Sequence, residues 1–154
     1  MKIADPLVLP SWRWWGPNDP VGLWDIAQAG AAGIVTALHH IPVGAIWTQA
    51  DIQHRQSLIS AVPGLRWVVV ESLPVHDGIK RGAPERDALI DRYRTSLRNL
   101  GACGVHTVCY NFMPVLDWLR TDHQFRLATG AVGLNYDHLD VVVFDRYMLQ
   151  RPDA

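Results

Sequence analysis

The run Leu65-Arg66-Trp67-Val68-Val69-Val70-Glu71, continued by Ser72-Leu73-Pro74-Val75-His76, decides the fold. Trp67 and three valines in a row match a strand buried on both faces, the pattern of a parallel sheet covered by helices. Pro63 and Gly64 close whatever precedes the run, and Glu71 ends it where the strand leaves the core. Parallel neighbours need long crossover connections, so helices are expected on either side.

Upstream, residues 33–38 (Gly-Ile-Val-Thr-Ala-Leu) form the second strand in chain order, joined to this third one by a helix over 48–61. Residues 7–15 form an earlier strand. Gly16, Pro17, Asn18 and Asp19 break it and cap a helix over 20–29, with Gly30 at that helix's C-terminal end. Downstream, a loop over 72–84 leads to a helix over 85–100, with Leu89, Ile90, Tyr93, Leu97 and Leu100 at helical spacing. Gly101 and Gly104 bracket the turn into a fourth strand, 105–110. After a loop over 111–122 the pattern changes: residues 125–136 contain Ala128-Thr129-Gly130-Ala131, a hairpin turn, and 141–144 is a short apolar run. This βαβα order defines an α/β fold, either an open doubly wound sheet or part of a (β/α)8 TIM barrel. A whole barrel takes about 250 residues. The 154 residues here hold about four βα units, so a barrel reading means half a barrel.

With 14 Lys+Arg against 15 Asp+Glu and a net charge of -1, the chain lacks the basic footprint of a nucleic-acid partner. No apolar run approaches the ~20 residues of a membrane span. Hydrophobic residues make up 49% and charged residues 19%, with seven Trp, which is the composition of a chain that packs. At this size folding hides roughly 70% of the unfolded surface, enough for a core without disulfide or structural metal. Only Cys103 and Cys109 occur, and the N-terminus lacks the apolar core of a secretory leader, so a reducing, cytoplasmic compartment is expected.

Polar residues gather just past the carboxyl ends of the four strands, where both parallel architectures place their sites. Arg13 ends the first strand, beside Trp14 and Trp15; His39 and His40 follow the second. Glu71 closes the third with His76 five residues on, and Asn111, Asp117 and Arg120 follow the fourth. Each has an ordinary structural role to set against a functional one. A loop imidazole is more often solvated or structurally bonded than a ligand. An unpaired carboxylate at Glu71 would be costly, so it contacts substrate or pairs with a base such as Arg13. Asp117 and Arg120, three apart, make a surface ion pair or aim a guanidinium at a substrate carboxylate. Trp12, Trp14 and Trp15 form a sugar-stacking platform or join the core. Cys103, His106 and Cys109 stand three apart, but on a strand such neighbours point to opposite faces and cannot share one ion. Both cysteines read as small buried residues. The phosphate-binding GxGxxG and P-loop signatures and the GxSxG nucleophile elbow are absent.

Four blocks carry a resemblance. They are Arg13-Trp14-Trp15-Gly16-Pro17-Asn18-Asp19-Pro20-Val21; residues 33–38 running into Ile41-Pro42-Val43-Gly44; Val70-Glu71-Ser72-Leu73-Pro74-Val75-His76; and Val108-Cys109-Tyr110-Asn111-Phe112-Met113-Pro114-Val115-Leu116-Asp117-Trp118 with Arg120-Thr121-Asp122. In order and spacing, over most of residues 11–145, the chain resembles the N-terminal half of the mannonate dehydratase family. The resemblance implies a TIM barrel similar to xylose isomerase, with residues 1–154 as a single N-terminal half-barrel and no second domain. It implies dehydration of D-mannonate to 2-keto-3-deoxy-D-gluconate in hexuronate breakdown, with a divalent ion, Mn²⁺ or Fe²⁺, binding substrate oxygens. Arg13, His40, Glu71, His76, Asn111, Asp117 and Arg120 would position the substrate. The family's metal ligands and its acid and base belong to later strands, so none is assigned here, Cys109 included. Open sheet edges would favour a homo-oligomer. Two other readings stand beside this one: a non-catalytic half-barrel that binds or assembles, and another isomerase or epimerase of the xylose isomerase-like superfamily.

Overall fold

Each apolar run of the first two thirds of the chain becomes a strand, and all four strands run parallel. The structure, a computed structural model, describes residues 8–113 and 118–150 in two units, Met1–Pro114 and Val115–Ala154. In the first unit β1 (Ser11–Arg13), α1 (Leu23–Gln28), β2 (Gly33–Thr36), α2 (Gln49–Ser60), β3 (Arg66–Val70), α3 (Asp77–Lys80), α4 (Arg86–Ala102) and β4 (Thr107–Val108) follow one another. The strands lie side by side in chain order, β1-β2-β3-β4. An α/β fold with a parallel sheet is therefore what the apolar valine run predicts, although only Trp67 and Val70 of it are buried and Val68 and Val69 are half-buried.

The strands are shorter than the apolar runs that made them, but the ladder continues past their ends. Trp14 N donates to Val35 O at 2.9 Å, Glu71 N to Thr36 O at 3.1 Å and Cys109 N to Val70 O at 2.8 Å. These bonds fix the residues just beyond the carboxyl ends, which are the ones with chemistry. The register pairs Thr36 with Val70 and Val70 with Val108, so β2, β3 and β4 finish level.

Local chemistry sets the helices. The Thr48 side chain accepts a hydrogen bond from Asp51 N and starts α2, satisfying one of the unpaired amides of its first turn. Asp19 does not cap α1 as its position suggested. Its carboxylate instead accepts from Trp15 N at 2.7 Å and Val21 N at 2.9 Å, clasping the turn at Gly16, whose φ of +105° favours glycine. Gly22 precedes α1, and the Asp25 carboxylate accepts from its amide at 2.9 Å. The loop over 72–84 is not wholly irregular: it contains α3, capped by His76.

α2 turns Ile52, Arg55 and Ile59 inward, a stripe at spacings of three and four. α4 buries Leu89, Ser96 and Leu100. The two meet the sheet in one core that includes Trp14, Ile26, Ile34, Trp47, Trp67, Val70 and Leu73. The β2–α2 loop is tied to α4, with Trp47 N donating to Ser96 Oγ at 3.0 Å and Asn99 Nδ2 to Trp47 O at 2.7 Å. Leu97 and Ile90, read as part of one stripe, lie off this packing face: Leu97 is exposed and Ile90 half-buried. Cys109 is also exposed and Cys103 half-buried, against the expectation that both are buried. Among the described residues β4 has a neighbouring strand on one side only, and Cys109 lies just past its end.

The second unit holds the hairpin that the Ala-Thr-Gly-Ala turn predicts. β5 (Asp122–Arg126) and β6 (Val132–Asn135) pair antiparallel, and Gly130 takes φ +84° in the turn. The apolar run at 141–144 is helical rather than extended: Asp137 caps α5 (His138–Val143), and a π-helical turn, Phe144–Met148, follows. Among the described residues of this unit none is buried. No helix among the described residues is long and apolar enough to cross a membrane.

Candidate functional site

The carboxyl ends of β1, β2 and β3 bring a charged and aromatic group together. β1 and β3 flank β2, so Arg13 and Glu71 start about two strand spacings, roughly 10 Å, apart. Their long side chains close that gap: Arg13 Nη1 lies 2.7 Å from Glu71 Oε1. The Arg13 and Glu71 side chains are 32% and 45% exposed, so the pair contributes at most about 1 kcal/mol to folding, and its main effect is to fix a guanidinium. That guanidinium also sits 4.2 Å from the centre of the Trp15 ring. Arg13 Nε is buried with no hydrogen-bond acceptor among the described residues.

His39 extends the group, its ring centroid 5.3 Å from that of Trp15. Burial lowers its pKa from 6.5, the Arg55 and Arg13 cations lower it further, and a hydrogen bond with the Trp15 backbone works the other way. Its imidazole is neutral at neutral pH and offers one donor and one acceptor. His40 and Trp15 share an open cleft of about 440 Å³ with His39, His54 and Arg55.

The remaining sequence candidates are not all brought here. His76 has a structural task, its Nδ1 accepting from Gly78 N at 3.0 Å at the start of α3, and its ring lines a different crevice with Gly44 and Leu89. Asn111 is exposed three residues past β4. Asp117 lies outside the described residues. Arg120 belongs to the second unit, where its Nη1 donates to Leu119 O at 2.7 Å and its guanidinium lies 5.3 Å from the Trp118 ring centre. Of the three N-terminal tryptophans, Trp14 joins the core while Trp12 and Trp15 are exposed. Arg55 and His54 were missed because they lie within a helix, where basic residues ordinarily face solvent. The signal was present: Arg55 stands in register with Ile52 and Ile59, on the apolar side.

Among the described residues no three His, Cys, Asp or Glu side chains converge to hold a metal ion. The donors present are those of a binding surface: a guanidinium held by a carboxylate, imidazoles and an indole wall.

A four-stranded parallel sheet with polar side chains gathered at its carboxyl ends places the chain among α/β proteins of the barrel and doubly wound kind. The profile of the D-mannonate dehydratase (UxuA) family matches residues 9–152, and the chain belongs to that family. It is 54% identical over 144 residues to the mannonate dehydratase of Chromohalobacter salexigens, covering 94% of this chain and 37% of that protein. It is 46% identical over 144 residues to that of Saccharophagus degradans, covering 94% and 36%. The crystal structure of mannonate dehydratase from Streptococcus suis serotype 2 superimposes with a TM-score of 0.80 at 41% identity, covering 91% of this chain and 43% of that one. The chain thus spans little more than a third of the length of the two curated relatives.

Proposed function

We propose that this chain is the N-terminal portion, a half-barrel over residues 1–154, of a (β/α)8 mannonate dehydratase, and that it supplies the substrate-positioning part of the site. The observation that carries this reading is the Arg13–Glu71 pair set across β2 at the carboxyl ends of sequentially ordered parallel strands. Dehydrating a hexonate requires a base to remove the proton beside the carboxylate and an acid to help the neighbouring hydroxyl leave. A guanidinium fixed by Glu71 offers paired donors to that carboxylate. His40, His76, Asn111, Asp117 and Arg120 are assigned, with Arg13 and Glu71, to positioning the substrate. The Mn²⁺ or Fe²⁺ of the family finds no set of three His, Cys, Asp or Glu donors among the described residues. The compartment is the reducing cytoplasm.

The barrel reading gains support from the free side of β4. Val75, Ile79, Ile90, Tyr93, Leu97, Val108, Tyr110 and Phe112 line an apolar groove of about 370 Å³ there. In a complete barrel the next βα unit covers that face. The same groove favours a second reading, in which two copies pair through it as a non-catalytic module.

Both readings meet one experiment. The purified chain, its folding confirmed by circular dichroism, is given D-mannonate and Mn²⁺, and the 2-keto acid is assayed with and without a co-expressed C-terminal portion of a relative. Turnover only with the complement supports the positioning role. Turnover that survives Arg13→Ala overturns it, and a stable dimer that binds sugar acids but accepts no complement favours the second reading.

A further inference from the structure

Arg55 is 4% exposed, and Nη1 of its guanidinium finds no hydrogen-bond acceptor among the described residues. Among the described residues no ion pair reaches it either. Asp51, one turn earlier on α2, is occupied by the Thr48 hydroxyl. Its neighbours include the Trp14 ring, 5.1 Å from the guanidinium carbon, and the turn at Gly16, where a Cβ would fall 2.7 Å from Nη1. A buried cation without a counter-charge is costly to keep, and its burial lowers its own pKa. A sequence selected for packing alone would place Leu or Met between Ile52 and Ile59.

The cleft that Arg55 lines supplies the reason to keep it. The space, about 440 Å³, lies between the turn after β1, the two histidines after β2 and the first two turns of α2. Its polar lining is one guanidinium, the imidazoles of His39, His40 and His54, and Asn18, against a single carboxylate, Asp51; the Trp15 indole forms an apolar wall. We propose that this cleft is a binding site for a small oxyanion, a carboxylate or phosphate group, with Arg55 as its counter-charge and the imidazoles as hydrogen-bond donors. Both anions suit a guanidinium fork. The site shares His40 with the proposed positioning group and extends from it on the α2 side of Trp15; its binding test requires no turnover, so its failure is distinguishable from a failure of the dehydratase reading.

Titration calorimetry of the whole chain tests it, using inorganic phosphate in one arm and acetate and D-gluconate in the other, at constant ionic strength with chloride as the balancing ion. Saturable binding in either arm is expected, and the stronger arm identifies the anion class. Arg55→Gln should weaken that binding by about 10- to 100-fold, the worth of a charge-assisted hydrogen bond. Arg55→Lys, which keeps the charge and loses the fork, should restore part of it. Asp51→Asn retains a side-chain oxygen beside Thr48, removes the opposing charge and should tighten binding; it keeps the test alive if the Arg55 variants fail to fold. Absence of saturable binding in both arms, or affinity unchanged in folded Arg55→Gln, or unchanged in Asp51→Asn, overturns the proposal.

Discussion

Thr36 ends β2, is 0% exposed, and its hydroxyl has no hydrogen-bond partner among the described residues. An unpaired buried hydroxyl costs about 1–3 kcal/mol in lost hydration. Valine has nearly the same shape, keeps the β-branch that suits a strand, and replaces that hydroxyl with a methyl whose burial is worth roughly 0.8 kcal/mol. Part of both effects is already present in a compact denatured chain, so Thr36→Val is expected to stabilise the first unit by about 1–2 kcal/mol. In a domain of about 60–100 residues each kcal/mol moves Tm by roughly 4–8 °C. Urea and thermal unfolding followed by circular dichroism measure this, with Thr36→Ser as the control. Serine keeps the hydroxyl and loses a buried methyl, so it should destabilise by about 1 kcal/mol. If Thr36→Val is instead less stable than the native chain by 1 kcal/mol or so, the hydroxyl makes a favourable hydrogen bond and the reasoning fails.

Three further outcomes are expected. Gly16→Ala should cost about 1–2 kcal/mol from its left-handed backbone alone, and more through the clash with Arg55, read as a lower urea midpoint. Glu71→Gln should change stability by less than about 1 kcal/mol, because the pair is half exposed, yet weaken sugar-acid binding in the same calorimeter; equal losses in both would make the pair structural only. The folded-state pKa of His39 lies below its ordinary value of 6.5, so the unfolded chain takes up that proton first as pH falls. Its effect on stability is absent above that range, grows as pH drops through 6.5 and is complete below the folded-state pKa. Unfolding midpoints of His39→Gln and the native chain should therefore separate on acidification, the variant losing less; parallel curves would exclude His39 as a source.

Sequence alone was sufficient for the layered α/β order, because periodicity and breakers are local properties. The Val68–Val70 run, Thr48 at the start of α2 and the glycine-containing hairpin turn all became the elements they predict. It also pointed to the ends of the strands, and it offered Arg13 as a partner for Glu71, as found. It misread what depends on neighbours. Asp19 looked like a helix cap and serves as a clasp for the Gly16 turn, because the amides that reach it are those of Trp15 and Val21. Cys109 looked buried and is exposed, because strand order leaves β4 at an edge.

Arg55 shows the division most clearly. The spacing puts the Arg55 guanidinium in register with Ile52 and Ile59, but spacing alone does not say that a charge at that position is buried rather than carried to solvent on its long stem. Only the packing of α2 against the sheet turns that side inward, where the Gly16 turn and the Trp14 ring surround a charge that local propensity would have left in water. Secondary structure follows from interactions a few residues apart. Burial of a charge, and therefore its demand for a partner, depends on surfaces contributed by segments some 40 residues away in the chain.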